Sequence, residues 1–476
     1  MAGNIPITTG WYFFLFSLVG ACCGLLWTVF AGEGEPLIAS IGFSGIAFAA
    51  TYALICWVGE EFKRVGLKGN DRSKPNRPEL PETMGAVCAV VYLMVMIIFI
   101  PFPFYEYFVL STNGGGNRDI TMEMVETGRI LPRFPHNKLG EYLSALLSLQ
   151  SMAILGIADD LFDIRWRHKV LLPAISSIPL LIMYYIDFGI TNIVVPLPLQ
   201  PYFGELLDLS YIYYLYMAAI SIFCPNSINI YAGINGLEVE QSIAIAIFIV
   251  INDLLYISVP NHPAAASHLF SLYFLLPFLG VSVALWCHNK YPSKVFVGDT
   301  YCYFAGMTFA VVGILGHFSK TLLLLFIPQI FNFLYSAPQI FHLVPCPRHR
   351  LPHFNAKTNR MEPSRATFDK PPRRIISLAL TILETVGLIK LWRNEQSGEI
   401  EEFSNMTLIN LWLVRGGPKN EGRLTRELFW LQMFCGAVGL LARHKAALLV
   451  FPYDNLRMED FEGLAAAAVE AVEAVV

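Results

Sequence analysis

Apolar segments long enough to cross a bilayer recur along almost the whole of this chain, separated by polar loops. A membrane-spanning helix needs about 20 predominantly apolar residues, because the hydrocarbon core is about 30 Å thick. Of the 476 residues, 55% are hydrophobic and 15% are charged, whereas soluble domains carry about 25% charged residues. The sequence therefore predicts an all-α polytopic membrane protein with about 10–11 transmembrane helices and a small cytosolic mixed α/β region between the last two spans.

The apolar pattern divides the chain into five parts. The first, residues 1–36, carries an extra hydrophobic segment that we interpret as a span or an uncleaved anchor, because no Lys or Arg precedes it, unlike a secretory signal. The others are a transmembrane domain expected to hold the functional site (37–345), a cytosolic loop region (346–423), a last span (424–457) and a low-complexity tail (458–476).

Counting crossings places the polar motifs on one side of the membrane. The loop from Gly59 to Glu82 holds six cations, which mark the cytoplasmic side; they are Lys63, Arg64, Lys68, Arg72, Lys74 and Arg77. Five polar regions share that side, namely 70–82, 159–169, 226–238, 288–300 and 346–350. Polar backbone at a bilayer is tolerated where it lines a watery cavity, so we expect one cytosol-facing site built from these loops.

The stretch GIADDLFDIRWRHK, residues 156–169, joins the adjacent carboxylates of Asp159 and Asp160 to a basic run that ends at Lys169. Adjacent carboxylates repel each other unless a cation offsets them, and charges beside a bilayer are costly enough to indicate function. We interpret these three residues as functional; that they are catalytic is implied only by the family resemblance given below. An ordinary charged end of a membrane helix is the alternative, since Lys and Arg also reach to the interface there.

Asparagine and glycine cluster in CPNSINIYAGINGLE, and Asp299 follows a glycine at the start of a later span. Glycine lets backbone amides approach a ligand closely, so this loop could cradle a phosphate; a plain turn between two helices is the alternative. Magnesium takes one or two protein oxygens and completes its shell with substrate phosphate and water. Asn229 and Asp299 with a diphosphate would suffice.

The tripeptide Arg348–Arg350 places two guanidinium groups beside an imidazole, between prolines that stiffen the loop. Arginine matches phosphate bidentately, which favours an anion site over the alternative of a simple topology anchor. The nine cysteines are scattered without a CxxC pair, so neither zinc nor a disulfide framework is indicated. A net charge of -4 says little about partners, and we expect no nucleic acid among them.

Five motifs in a fixed order make the chain similar to a known family: LPETMG, GIADDLFDIRWRHK, CPNSINIYAGINGLE, FVGDTYCYFAGM and PCPRHRLP. From about Leu37 to Asp454 the sequence resembles the eukaryotic UDP-N-acetylglucosamine:dolichyl-phosphate N-acetylglucosamine-1-phosphate transferases, and their fungal members most. These belong to the wider superfamily of polyprenyl-phosphate sugar-phosphate transferases. The PCPRHR loop is typical of the eukaryotic branch.

The resemblance implies a role for each matching position. Asn229 and Asp299 would hold Mg²⁺, and Lys169 would bind the phosphate of dolichyl phosphate beside Asp159 and Asp160. The nucleotide-sugar site would comprise Asn70, Asp71, Arg72, Glu82, Gly233, Asn235, Arg348, His349 and Arg350. The lipid would lie along Trp166, Lys169, Asn226 and Ile230.

The reaction that the resemblance implies moves N-acetylglucosamine 1-phosphate from UDP-N-acetylglucosamine to dolichyl phosphate, giving dolichyl-diphospho-N-acetylglucosamine and UMP. It is the first committed step of the lipid-linked oligosaccharide pathway for protein N-glycosylation. The resemblance also implies a multi-pass protein of the endoplasmic reticulum membrane with a cytosolic site that tunicamycin inhibits. It implies either a homodimer or a complex with later pathway enzymes. Glu240 and Tyr231 depart from the family pattern, which usually has glycine and leucine there.

Three questions stay open from the sequence. A phosphate monoester is already ionised near neutrality, which favours direct in-line attack by dolichyl phosphate; a covalent route through Asp159 or Asp160 is the alternative. A nucleotide-sugar transporter is an alternative function that would explain the many spans, but it predicts internal repeats and binding residues at the membrane midplane. A bacterial-type transferase that acts on another sugar is a further alternative.

Overall fold

The fold is mainly helical, with small sheets at the two ends of a helical bundle. A computed structural model describes residues 8–31, 35–105, 135–347, 350–394, 396–451 and 456. Two predicted site residues, Arg348 and His349, and the predicted tail lie outside these described residues.

Helices carry most of the chain. In chain order they are α1 Thr9–Ala31, α2 Pro36–Arg64, α3 Gly85–Phe99, α4 His136–Phe162, α5 Trp166–Ser176, α6 Ile178–Asp187, α7 Tyr211–Ile230, α8 Leu237–Ile257, α9 Ala265–Asn289, α10 Gly298–Leu315, α11 Ser319–Leu325, α12 Ile327–Ile340, α13 Arg374–Thr385, α14 Leu408–Gly416 and α15 Glu421–His444. Short single turns occur at Phe102–Phe104, Leu197–Leu199, Gln200–Phe203 and Ala446–Leu449.

The strands are short and pair antiparallel. They are β1 Lys68–Asn70, β2 Glu79–Pro81, β3 Asn192–Val194, β4 Leu206–Asp208, β5 His353–Asn355, β6 Arg360–Glu362, β7 Arg365–Thr367, β8 Leu391–Arg393 and β9 Ile400–Ser404. The first six form three hairpins, and the last three form one sheet in the order β7-β9-β8.

Among the described residues, 7 helices are long and apolar enough to cross a membrane, or 8 if the bent pair α11–α12 counts as one span. The seven are α1, α2, α3, α4, α8, α9 and α10. The polytopic all-α class is thus confirmed. The number of spans identified by length and composition is smaller than the predicted number of about 10–11. The difference lies in α5–α6, α7 and α15, which are short or carry too many polar residues.

Two stretches differ from what the sequence pattern predicts. Residues 170–186 are apolar enough to predict one span, but they are split between α5 and α6, where Pro179 cannot donate the backbone hydrogen bond that would continue the helix. The stretch CPNSINIYAGINGLE, which was predicted to be a loop, begins as helix, since α7 continues to Ile230. That prediction was wrong for residues 224–230, where Pro225 is accommodated inside the helix and packs closely against Gly306 of α10.

Helix α10 is the centre of the bundle, with 89% of its residues buried. Glycines let its neighbours approach: a Cβ on Gly156 of α4 would lie 2.6 Å from the Cα of Thr300, and one on Gly306 would lie 2.3 Å from the Cα of Pro225 in α7. Such contacts allow helices to pack without large side chains between them. The start of α10 is therefore enclosed by α4 and α7.

We call the end of the bundle that carries residues 65–84 the basic end. The β1–β2 hairpin lies there, and the chain after it pairs with the segment that leads into α10: the N–H of Gly85 donates to the carbonyl of Val297 at 2.8 Å, and that of Phe296 to Pro81 at 2.8 Å. The hairpin is thereby fixed against the first residues of α10.

The predicted mixed α/β region between the last spans is confirmed in residues 353–416, between α12 and α15. Helix α13 covers one face of the β7-β9-β8 sheet, where Leu380 packs with Leu391 and Phe403. Helix α12 carries the region, since the hydroxyl of Ser336 donates to the carbonyl of Met406 and the amide of Gln339 donates to Asn405.

Candidate functional site

The basic end holds a buried ion cluster centred on Lys169. Its ammonium lies 2.8 Å from Asp159 Oδ2 and 3.1 Å from Asp299 Oδ2. The Asp159 side chain is 1% exposed and that of Asp299 is 33% exposed, so the cluster opens toward Asp299. Burial lowers the pKa of Lys169, but the charges and hydrogen bonds of Asp299 and Asp159 outweigh it and leave this pKa raised. The lysine is therefore a fixed cation.

Asp160 points to the start of α10 rather than to Lys169. Its carboxylate accepts hydrogen bonds from the backbone N–H of Asp299 at 2.6 Å and from the hydroxyl of Thr300 at 2.6 Å. A Cβ on Gly298 would lie 2.5 Å from this carboxylate, and the φ of +74° at this position is a conformation that glycine adopts without strain. A carboxylate at a helix N-terminus satisfies donors that have no intrahelical partner, so Asp160 fixes where Asp299 stands.

Glu82 brings a fourth carboxylate to the cluster. It leaves the β1–β2 hairpin just before α3, beside the segment that precedes Asp299. Burial raises the pKa of Glu82, and the negative charge of Asp299 raises it further. Neighbouring carboxylates repel each other unless a cation offsets them, so a bound cation would stabilise this pair.

A second polar network joins three separated parts of the chain. The amide of Asn235 donates to Asp71 at 3.1 Å, and the backbone N–H of Asn235 donates to Glu421 at 2.9 Å. Lys74 forms ion pairs with both Asp71 and Glu421. Asp71, Asn235 and Glu421 are buried, so the network holds the α7–α8 loop against the β1–β2 hairpin and the first turn of α15.

Asp71 and Asn235 were predicted, and the structure brings them together. Lys74 and Glu421 were missed as site residues. Lys74 was counted as a topology signal, and Glu421 begins α15 three residues before the predicted last span, 424–457. The Asn420 side chain, which accepts from the N–H of Gly422, is the sequence signal that could have moved this start.

The glycine loop between α7 and α8 is shaped to approach another chain segment. Gly233 has a φ of +131°, and its N–H donates to Glu238 at 3.1 Å. A Cβ at this position would lie 2.2 Å from Leu351. Leu351 follows Arg350 directly, so Arg350 lies next to the contact with the glycine loop.

Arg350 is the described member of the RHR motif, and its backbone is fixed. Its carbonyl accepts from the Asn410 amide at 2.9 Å and from the Ser364 hydroxyl at 3.3 Å. Its Nη1 is buried and has no hydrogen-bond partner among the described residues, and burial lowers the pKa of this guanidinium. A buried cationic donor without a partner is costly, which indicates a place for an anion.

The two asparagines of α7 differ in their surroundings. Asn226 donates its amide to the carbonyl of Ile222 at 2.8 Å, a bond within its own helix. Asn229 and Ile230 are half-buried at the last turn of α7. Since α7 and α10 run in opposite directions and meet at Pro225, Asn229 and Asp299 lie toward the same end of the bundle.

The remaining predicted residues belong to elements at the same end of the bundle. Asn70 and Arg72 are exposed on either side of buried Asp71. Trp166 begins α5, the helix that carries Lys169. Glu240 accepts a hydrogen bond from the indole N–H of Trp286 at 2.9 Å, so this unusual residue faces α9.

The chemistry of the donor set fits a hard divalent cation. Asp159 and Asp299 pair with the ammonium of Lys169, Asp160 accepts a hydrogen bond from the N–H of Asp299, and the negative charge of Asp299 acts on Glu82. Within the described ranges, no group of three or more His, Cys, Asp or Glu side chains converges as metal ligands. That geometry excludes a cage of such side chains but suits magnesium, which takes few protein oxygens and completes its shell with phosphate and water.

The fold and site together define a polytopic membrane protein with an acidic, lysine-centred site, and residues 142–317 match glycosyl transferase family 4. Over 93% of its length the chain is 53% identical to the UDP-N-acetylglucosamine–dolichyl-phosphate N-acetylglucosaminephosphotransferase of Saccharomyces cerevisiae, of which it covers 98%. The proteins of the same name from Schizosaccharomyces pombe and Dictyostelium discoideum are 50% and 38% identical, over 89% and 90% of the chain and 95% and 96% of their own lengths. The chain belongs to this family of N-acetylglucosaminephosphotransferases.

Proposed function

We propose that this protein transfers N-acetylglucosamine 1-phosphate from UDP-N-acetylglucosamine to dolichyl phosphate and releases UMP. Two findings meet in this proposal. The relatives that match nearly the whole chain share one enzyme name, and the ion cluster of Lys169, Asp159 and Asp299 suits a reaction between two anions. The ion cluster is the observation that carries the proposal.

In the proposed reaction a phosphate oxygen of dolichyl phosphate attacks the β-phosphorus of the nucleotide sugar. The bond from that phosphorus to the bridging oxygen breaks, and UMP leaves with the electron pair. The bond between the sugar and its phosphate stays intact. Phosphoryl transfer asks a protein mainly to position its reactants and neutralise their charge, so Lys169 would hold the lipid phosphate and Arg350, with Arg348, the diphosphate.

Asn229 and Asp299 would hold Mg²⁺, which when bound supplies positive charge to the diphosphate oxygens. Asp160 supports direct attack over a covalent route, because both of its oxygens accept hydrogen bonds from the start of α10. Asp159 is buried against Lys169. A nucleophilic carboxylate would need an open approach to the phosphorus.

We place the enzyme in the endoplasmic reticulum membrane, with the basic end and its site facing the cytosol. The cations of residues 63–77 support this orientation, because cytoplasmic loops carry an excess of Lys and Arg. The lipid would enter along α5, which begins at Trp166 and carries Lys169, and along the end of α7, which carries Asn226 and Ile230.

The test uses purified protein in detergent with dolichyl phosphate and UDP-N-acetylglucosamine labelled with ³²P in the β-phosphate. The proposal expects label in the lipid fraction, release of unlabelled UMP, loss of activity on chelation with recovery on adding Mg²⁺, and inhibition by tunicamycin. Release of labelled UDP would mean that the sugar alone is transferred. Label that stays in intact nucleotide sugar would mean transport or another donor, and either result overturns the proposal.

A further inference from the structure

Helix α13 is apolar on both of its long faces. Ile376, Leu380 and Leu383 face the sheet and pack into the core of the α/β region. On the opposite face Ile375 is 84% exposed, Leu378 63% and Ile382 53%. A helix in a water-facing region normally turns charged or polar residues outward, so this second apolar face calls for a covering.

The position of α13 relative to the membrane is fixed at both of its ends. After its last turn, the carbonyl of Leu388 accepts a hydrogen bond from the hydroxyl of Tyr335 in α12. Before its first turn, Arg373 lines the same cavity as His342 and Leu343, which directly follow α12. Phe341 and Leu343 are also exposed there. Helix α13 therefore runs beside the point where α12 leaves the bundle.

The approach to α13 is basic. The segment that leads into it, DKPPRR over residues 369–374, carries three cations and one carboxylate, and Lys370, Arg373 and Arg374 are exposed. Anionic lipid headgroups attract such clusters by about 1 kcal/mol for each Lys or Arg near the surface. An apolar face flanked by cations is the pattern of a helix that lies in the membrane interface.

We propose that α13 is an in-plane anchor: its exposed apolar face lies in the leaflet that borders the basic end, and the cavity beside Arg373 and His342 receives the headgroup of an anionic phospholipid. The helix is about 18 Å long at 1.5 Å per residue. Because α14 and the RHR loop belong to the same small region, the anchor holds that region down over the glycine loop.

The polar face of the region agrees with this orientation. Arg365 pairs with Glu402 and lies over the ring of Trp392, and Arg393 pairs with Glu384. The turn between β8 and β9 is polar and exposed, as at Ser397. Apart from Glu384 at the end of α13, these charged groups lie on the sheet and its turns, whereas Ile375, Leu378 and Ile382 form the exposed apolar face of α13.

The test places a fluorescent amino acid at position 378 of the full-length chain, with position 397 as a matched exposed control, and reconstitutes each protein into lipid nanodiscs. Quenching by lipids brominated in their acyl chains is measured with and without phosphatidylserine, and acrylamide probes access from water. The proposal expects several-fold stronger quenching by brominated lipid at 378 than at 397, the reverse order with acrylamide, and a further increase at 378 with phosphatidylserine.

The variant Arg373→Gln/Arg374→Gln should lose the increase caused by phosphatidylserine, whereas Lys357→Gln/Arg360→Gln, two exposed cations on the β5–β6 hairpin, should keep it. Equal access of acrylamide to 378 and 397 would show that α13 faces water. Protection of 378 from both quenchers would show a protein cover, such as a second copy of this chain. Each of these results overturns the proposal that α13 is an in-plane anchor. Quenching at 378 that does not change with phosphatidylserine overturns the proposed headgroup site.

Discussion

The carboxylate of Asp160 bonds to both donors of Thr300, the hydroxyl at 2.6 Å and the backbone N–H at 3.3 Å. Together with the N–H of Asp299, these bonds tie the end of α4 to the start of α10. Asp160 is in this view a positioning residue. It fixes the position of Asp299 and acts on the reacting groups only through Asp299.

We therefore expect Asp160→Asn to lose activity partially, by about 10- to 100-fold in kcat, the scale of a small misplacement of a catalytic group. Asp163→Asn, the same change in the same acidic stretch, should leave kcat near that of the unchanged protein. Steady-state assays of UMP release compare the two. A loss on the order of 10⁴-fold or more for Asp160→Asn would instead indicate a nucleophile.

The network around Asn235 predicts an effect on substrate binding. Glu421→Gln removes the charge that pairs with Lys74 and loosens the hold on Asn235, so the KM for UDP-N-acetylglucosamine should rise about 10-fold with little change in kcat, as for a lost binding contact. Glu427→Gln is the control, because Glu427 lies on the same helix as Glu421 but bonds to Lys419, before α15, and to Trp412 of α14. An unchanged KM in Glu421→Gln would show that this network does not contribute to binding of the nucleotide sugar.

We expect Arg350 to lower the stability of the ligand-free protein and to contribute to binding of the anionic substrate. Its buried Nη1 lacks a partner among the described residues, so Arg350→Met should leave the Tm of the ligand-free protein unchanged or raise it, since an unpaired buried charge is removed. Activity should fall by about 100-fold or more, the scale of a lost charge-stabilising donor. Arg365→Met, which breaks an exposed ion pair, should keep full activity; a lower Tm with normal activity in Arg350→Met would contradict this role.

The two asparagines of α7 allow a matched test of the metal site. Asn229→Ala should raise the Mg²⁺ concentration for half-maximal activity by about 10-fold, corresponding to about 1.4 kcal/mol of binding free energy. Asn226→Ala should leave it unchanged, because the Asn226 amide bonds to its own helix. Titration of activity with Mg²⁺ at saturating substrates measures both. Equal shifts in the two variants would remove Asn229 from the ligand set.

Hydrophobic segments and charged loops were enough to predict the membrane class and the mixed region before α15, because both depend on local composition. The helical course of α7 through Asn226 and Asn229 was not predictable in this way. Its proline, Pro225, and its two asparagines favour a turn by local rules, but close packing against α10 keeps this segment helical.

Only part of the site was predictable from the sequence. Asp159, Lys169 and Asp299 could be identified as charges beside apolar segments, but no sequence pattern indicates that Asp160 accepts hydrogen bonds from Thr300 instead of facing Lys169. The pairing of Lys74 with Glu421 joins positions at the two ends of the chain. Such contacts follow from the packing of the bundle, which no local pattern encodes.

The most direct test of the central claim compares two lysines of comparable setting. Lys169 and Lys138 each pair with a carboxylate whose side chain is 1% exposed, one at each end of the α4 region. Removing either partner of such a pair costs stability, so Lys169→Met and Lys138→Met should both lower the Tm. UMP release, measured with folded protein at saturating substrates, should fall by on the order of 10³-fold or more in Lys169→Met and stay within a few-fold of normal in Lys138→Met. Near-normal UMP release by Lys169→Met would contradict the account.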